Sequence, residues 1–187
     1  QRLGQFHDGV ANEGRSLHHA VDFALLEKVD GPLLAVDGND DRLAIARKLG
    51  ADITLNFRNV DVVDEVLKLT RGRGADSSIE CLGLQSTFEQ SLRVLKPGGT
   101  LSSLGVYSED LVIPVSAFAA GLGDHKINTA LCPGGKERMR RLMSVIESNR
   151  LDLGCLVTHE RKLDDIIEAY DMFANQRDGV LKIAIKP

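Results

Sequence analysis

From Gly31 onward the chain alternates short apolar runs with stretches of helical period, and that alternation leaves few architectures open. Strand–helix–strand units of this kind place successive strands parallel, so a series of them builds an α/β sheet covered by helices. Leu33 to Val36 is an apolar run ending in Asp37, and Gly38-Asn39-Asp40 supplies a turn and a helix cap. The helix that follows carries Leu43, Ala46 and Leu49 on one face and stops at Gly50, a residue suited to a left-handed cap. Ile53 to Leu55 reads as a strand. Val62, Val63, Val66, Leu67 and Leu69 predict a helix ending in the Arg71-Gly72-Arg73-Gly74 loop.

The second half repeats the scheme. Asp76 to Glu80 predicts a strand, with Cys81-Leu82-Gly83 as the loop at its carboxyl end. Ser86-Thr87-Phe88-Glu89 has capping-box spacing ahead of Leu92 and Leu95, and Pro97-Gly98-Gly99 is expected to end that helix before a strand over Thr100 to Leu104. The pattern loosens from Tyr107 to Phe118. A helix over about Lys136 to Ser148 follows, with Met139, Leu142, Met143 and Ile146 on one face. The last helix uses Leu163, Ile166, Ile167, Tyr170 and Phe173, and Leu181, Ile183 and Ile185 alternate in a closing strand with one buried face. Residues 1–30 stand apart: Gln1 to Arg15 is polar and Gly-rich, and Ser16 caps an expected helix near 16–29. Residues 31–187 then make one α/β domain with a C-terminal helix and strand.

Composition removes several functions. The 187 residues are 43 % hydrophobic, enough to bury a core, and 27 acidic against 23 basic side chains give a formal charge of -4 that offers no field for a nucleic-acid backbone. No apolar run approaches a membrane span, and charges interrupt residues 1–30, so neither a membrane segment nor a signal peptide is expected. Three cysteines (Cys81, Cys132, Cys155) are too few for a disulfide scaffold or a four-thiolate zinc site, and a reduced, cytoplasmic protein is the expectation. His159-Glu160 lacks a second His at helical spacing. His18-His19 point to different helix faces, and no credible catalytic constellation is present.

The strand ends carry what chemistry there is. An acid at the carboxyl end of a parallel strand can accept hydrogen bonds from both hydroxyls of an adenosine ribose and repel a 2′-phosphate. Asp37 is so placed, followed by Gly38 and Asn39, with Arg42 within reach along the helix. Position alone also allows a plain turn acid and a solvated helix charge. Glu80-Cys81-Leu82-Gly83 and Leu104-Gly105-Val106 are two further Gly-containing strand-end loops, expected to line the same crevice.

Several stretches resemble the zinc-type alcohol dehydrogenases of the medium-chain dehydrogenase/reductase family. Leu33-Leu34-Ala35-Val36-Asp37 and Arg42 to Ala51 are similar to that family's second strand and helix. Gly74-Ala75-Asp76 with Glu80 to Gly83 resembles its fourth strand, and Leu95-Lys96-Pro97-Gly98-Gly99-Thr100 with Gly105-Val106 its fifth. His125-Lys126-Ile127, Leu131 to Gly135, Leu156 to His159 and Lys182 to Pro187 fit its tail. The resemblance implies a Rossmann-like, mostly parallel sheet with helices on both faces and NAD as cofactor. It implies Asp37 and Arg42 at the ribose, Cys81 and Leu82 on the adenine side, and Leu104, Gly105 and Val106 by the nicotinamide. Ala130 and Cys132 would lie at the carboxamide, and Lys182 would neutralise the pyrophosphate. It also implies an alcohol or aldehyde substrate in the parent protein and pairing of two copies through the 127–132 strand. Zinc would be held only in a catalytic domain that has no counterpart here, which leaves the chain alone without catalytic residues.

One departure from the family bears on affinity. No Gly-x-Gly-x-x-Gly occurs, and Glu13-Gly14-Arg15-Ser16-Leu17-His18 stands where the turn is expected, which makes the first strand irregular and predicts weak or absent cofactor binding. In the order 3-2-1-4-5-6 that strand is central, so its loss would split the sheet or require a replacement strand. A truncated or frame-disrupted chain is one expectation from this. A methyltransferase-like domain using S-adenosylmethionine, suggested by Leu92 to Gly99, and a non-catalytic dimerising remnant are the alternatives.

Overall fold

The computed structural model describes residues 31–119, 123–130, 134–149 and 152–187. The irregular first strand, the Glu13 to His18 segment, the helix expected near 16–29 and Cys132 lie outside these residues. Within them, seven strands and six α-helices alternate: β1 Leu34–Asp37, α1 Asp40–Lys48, β2 Ile53–Asn56, α2 Val62–Leu69, β3 Ala75–Glu80, α3 Gln85–Arg93 and β4 Leu95–Ser103. They continue with α4 Val115–Ala119, β5 Lys126–Thr129, α5 Lys136–Glu147, β6 Val157–Lys162, α6 Ile166–Ala174 and β7 Lys182–Lys186.

Every strand pairing among the described residues is parallel. The strands form a β1–β2 pair, a β3–β4–β5 sheet and a β6–β7 pair. Strand alternation assigns the helices to faces. Ala35 points to one side of β1 and packs with Ala46 of α1 and with Ala51, whereas Leu34 and Leu55 point to the other and pack with Val62 and Val66 of α2. Helices therefore cover both faces of this pair. Val94 and Ala75 join the same α2 cluster, so α2 packs across the gap between the β1–β2 pair and the β3–β4–β5 sheet. A third cluster places Phe88 and Leu92 of α3 against Leu95 and Leu101 of β4 and against Ala117.

Local chemistry explains most boundaries. The Asn39 side chain accepts hydrogen bonds from the Asp41 and Arg42 amides at 2.8 and 3.3 Å, fixing the start of α1. Gly50, at φ +109°, ends it in a conformation costly for other residues.

Several expectations need correction. Helix α3 starts at Gln85 with Leu84 as its uncapped flank, not at a Ser86 capping box. Glu89, which would reach back in such a box, is committed to Arg93, and the loop ahead of the helix is held instead by the Leu82 and Gly83 amides on Glu80. The helix also ends at Arg93, before Pro97: Leu95 already pairs with Ala75, and Pro97-Gly98-Gly99 forms a bulge inside β4 before Thr100 pairs with Ser77. On α6 the buried side chains are Ala169 and Met172, whereas Ile167 and Tyr170 are 82 % and 71 % exposed. Two apolar stripes run side by side on this helix, and period alone cannot choose between them. In β7, Ile183, Ala184 and Ile185 are all half-buried, so neither face is cleanly inside. The expected apolar face of α5 is present but exposed, with Met139 and Leu142 at 62 % and 60 %.

Candidate cofactor site

Two groups of side chains occupy the carboxyl ends of strands. At the end of β1, Asp37 is 2 % exposed. Its Oδ1 accepts the Asn39 amide at 2.7 Å, and its Oδ2 lies 3.9 Å from Nη1 of the buried Arg42. Glycine at 38 lets the Phe57 ring and the Arg58 side chain pack against the turn, because a Cβ would stand 2.4 Å from that ring and 3.0 Å from Nε of Arg58 and would push them aside. The sequence-derived set Asp37, Gly38, Asn39 and Arg42 is thus brought together.

The second group sits at the ends of β3 and β4 and is organised by Glu80. This carboxylate is 2 % exposed. Its Oε1 accepts the Leu82 and Gly83 amides and the Thr87 hydroxyl, each at 2.8 Å. Its Oε2 accepts the Tyr107 hydroxyl at 2.5 Å. Because a carboxylate only accepts, Tyr107 gives its proton to Glu80, and the Ser103 hydroxyl at 2.6 Å donates to Tyr107. Burial pushes the Glu80 pKa up, but the hydrogen bonds from Tyr107, Gly83, Thr87 and Leu82 outweigh it and hold the carboxyl below its usual range. Burial and the bond to Glu80 push Tyr107 up to about 12.

Above Glu80 the two loops touch through glycine. A Cβ on Gly105 would meet the Gly83 nitrogen at 2.2 Å, and one on Gly83 would meet the Val106 carbonyl oxygen at 2.3 Å, with Gly83 itself at φ +89°. Cys81, Leu82, Gly83, Leu104, Gly105 and Val106 are therefore one structural group. Cys81 and Leu82 are half-buried, and Leu104 and Val106 are exposed.

The remaining predicted residues lie apart. Ala130 follows β5 and is exposed. Lys182 opens β7, exposed and paired with Val157 in the small β6–β7 sheet rather than on a sheet that carries Asp37 or Glu80. His159-Glu160 falls on strand β6, where successive side chains alternate sides. Among the described residues no group of three His, Cys, Asp or Glu side chains could hold a metal ion, and no helix is long and apolar enough to cross a membrane.

Sequence reasoning missed the roles of four residues. Glu80 was visible only as a strand-end residue, since its partner Tyr107 is 27 positions away. Arg58, and Asn175 and Gln176 beyond α6, were also missed. They join Gly38 to Asp41 around a polar cleft of about 450 Å³ beside Asp37. No local pattern marks residues recruited from so far along the chain.

A parallel α/β domain with an acid ending one strand and glycine-closed loops ending two others has the architecture of a nucleotide-cofactor domain. Residues 18–148 match the family described as "Zinc-binding dehydrogenase", and the chain belongs to that family. It is 81 % identical over 155 residues to an "Alcohol dehydrogenase" of Cupriavidus necator, covering 83 % of this chain and 42 % of the relative. It is 32 % identical over 158 residues to an "NADP-dependent isopropanol dehydrogenase" of Clostridium beijerinckii, covering 83 % and 45 %. Among solved structures, a zinc-dependent alcohol dehydrogenase 2 from Streptococcus pneumonia superposes with a TM-score of 0.72 at 28 % identity, over 83 % of this chain and 44 % of that one. The chain thus spans less than half the length of these curated relatives.

Proposed function

We propose that this chain is the NAD-binding portion of a zinc-type alcohol dehydrogenase-like oxidoreductase. The observation that carries this reading is Asp37, a carboxylate ending β1 and oriented by the Asn39 amide in a chain of the zinc-binding dehydrogenase family. The group fits the adenosine half of the cofactor. An acceptor-only carboxylate suits two ribose hydroxyls, and glycine at 38 lets the Phe57 ring pack against the turn beside them. Arg42 would steady the carboxylate, with Cys81 and Leu82 on the adenine side and Leu104, Gly105 and Val106 at the other ring. Ala130, Cys132 and Lys182 complete the proposed set at the carboxamide and pyrophosphate.

The relatives' names include an NADP-dependent enzyme, so the preference is argued from this chain's own charges. Beside Asp37, the polar cleft is lined by Asp40 and Asp41 against the single cation Arg58 among its described residues. A 2′-phosphate adds about two negative charges and would meet net repulsion, which favours NAD. When bound, NAD supplies a hydride acceptor, and zinc, held by residues the family resemblance places outside this chain, supplies Lewis acidity at an alcohol or aldehyde oxygen. The residues here bind and orient. The isolated chain is expected to oxidise no alcohol, and its NAD affinity is weak because it lacks the Gly-rich turn and Asp37 is enclosed. Pairing of two copies along the exposed β5 edge and a cytoplasmic location belong to the same reading. The reported relatives are dehydrogenases, and no observation favours the methyltransferase alternative.

Titrating wild type and Asp37→Ala with NAD and with NADP tests the proposal. Wild type is expected to prefer NAD by about tenfold, ~1.4 kcal/mol, and the variant to lose that preference. Equal affinity in wild type, or a preference for NADP, would overturn it.

A further inference from the structure

We propose that Tyr107 is a positioning residue, which pins the segment leaving β4 to Glu80 and so sets how the touching Gly83 and Gly105 loops present the surface on which the cofactor's second ring would lie. The proposal rests on the reading of the site as an NAD site. It begins from the division of labour on one carboxylate. Oε1 of Glu80 holds the Gly83 loop through two amides, and Oε2 holds the Gly105 loop through the Tyr107 hydroxyl. Both loops are thereby referred to a single buried group at the end of β3.

Three further observations make Tyr107 more than a packing residue. Its ring is locked edge-on against Phe88, with centroids 6.0 Å apart at 88°, so the hydroxyl arrives at Glu80 in a fixed direction. The main chain repeats the tie, because the Leu104 amide donates to the Glu80 carbonyl at 2.7 Å. Farther along, the Gln85 side-chain amide donates to the Val112 carbonyl at 2.6 Å and accepts the Val112 amide at 2.9 Å. The segment is thus tied at both ends, and losing the Tyr107 hydroxyl changes how the two loops meet without releasing the segment. Between the ties, Leu104 and Val106 are 47 % and 77 % exposed, apolar side chains left uncovered at the place where a flat ring would lie.

Tyr107→Phe keeps the ring and removes the donor. Two readouts separate positioning from a general structural role. Amide hydrogen exchange at Leu82, Gly83 and Leu104 is expected to speed up about tenfold while exchange in β1 and β2 stays unchanged. Affinity for NAD is expected to fall about tenfold while affinity for ADP-ribose, which lacks the second ring, is retained. Unchanged exchange and an unchanged NAD to ADP-ribose ratio would overturn the proposal. So would uniform acceleration with a parallel fall in unfolding temperature, the mark of a merely structural residue. Failure of wild type to bind either probe would instead overturn the NAD reading and the positional consequence with it, while exchange still decides whether the Tyr107 tie exists.

Discussion

Glu80 and Tyr107 are coupled through one short hydrogen bond, and their titrations carry opposite signs. Glu80 is held below its ordinary value of 4.5, so its contribution to stability is present above that pH and disappears as pH falls through the lower folded value. Tyr107 is raised from 10.0 to about 12, so its contribution is present below pH 10 and lost as pH rises toward 12. One of the chain's two tyrosines should therefore ionise late in an ultraviolet titration, and Tyr107→Phe should remove that late step. A titration unchanged by the substitution would contradict the bond. Glu80→Ala leaves four donors facing an empty site and is expected to cost about 3 kcal/mol at neutral pH by denaturant unfolding. That difference should shrink in acid, where the wild-type carboxylate is itself protonated. The sequence made Asp37 legible because its use depends on one local context, an apolar run followed by a turn. Glu80 occupies the same context two strands later, but its importance comes from Thr87, Ser103 and Tyr107, which only the folded chain assembles.

Helices and strands were more readable than their ends. Helix α1 was given by its apolar face, Asn39 and Gly50, three independent local signals that agree. Asn39→Ala should lower stability by about 1 kcal/mol, measured as a shift in denaturant midpoint at constant slope. Helix α3 shows the opposite case. The Ser-x-x-Glu spacing was real, but Glu89 is drawn to Arg93, which also reaches Ser116 at 2.8 Å. Strand β4 swallows a Pro-Gly-Gly sequence that reads as a break, because the bulge lets Leu95 and Thr100 both keep their β3 partners. The close approach of the Gly83 and Gly105 loops yields a sharp expectation. Gly105→Ala would place a methyl group 2.2 Å from the Gly83 nitrogen, a backbone atom that cannot rotate away. A loss of about 3 kcal/mol follows. A neutral result would show that the loops are farther apart than described.

At the scale of the whole molecule, the parallel α/β class was fixed by the repeated alternation of periods, whereas the joining of its sheets was not. The described strands divide into three hydrogen-bonded groups, and α2 packs against parts of two of them through Val62, Val66 and Val94. Exposed apolar faces on α5 and α6 coexist with a chain that covers 42 % of its Cupriavidus necator relative, so a hydrophobic face read from sequence did not settle what covers it. The carboxyl ends of β1, β3 and β4 together are proposed to receive NAD, weakly. Amide chemical-shift mapping of the chain during titration with NAD tests it most directly. Shifts at Gly38 and Asn39, together with Gly83 and Gly105, are predicted, saturating with a dissociation constant on the order of 1 mM. Shifts confined to other strands, no shifts at about ten times that concentration, or saturation at micromolar NAD would contradict it.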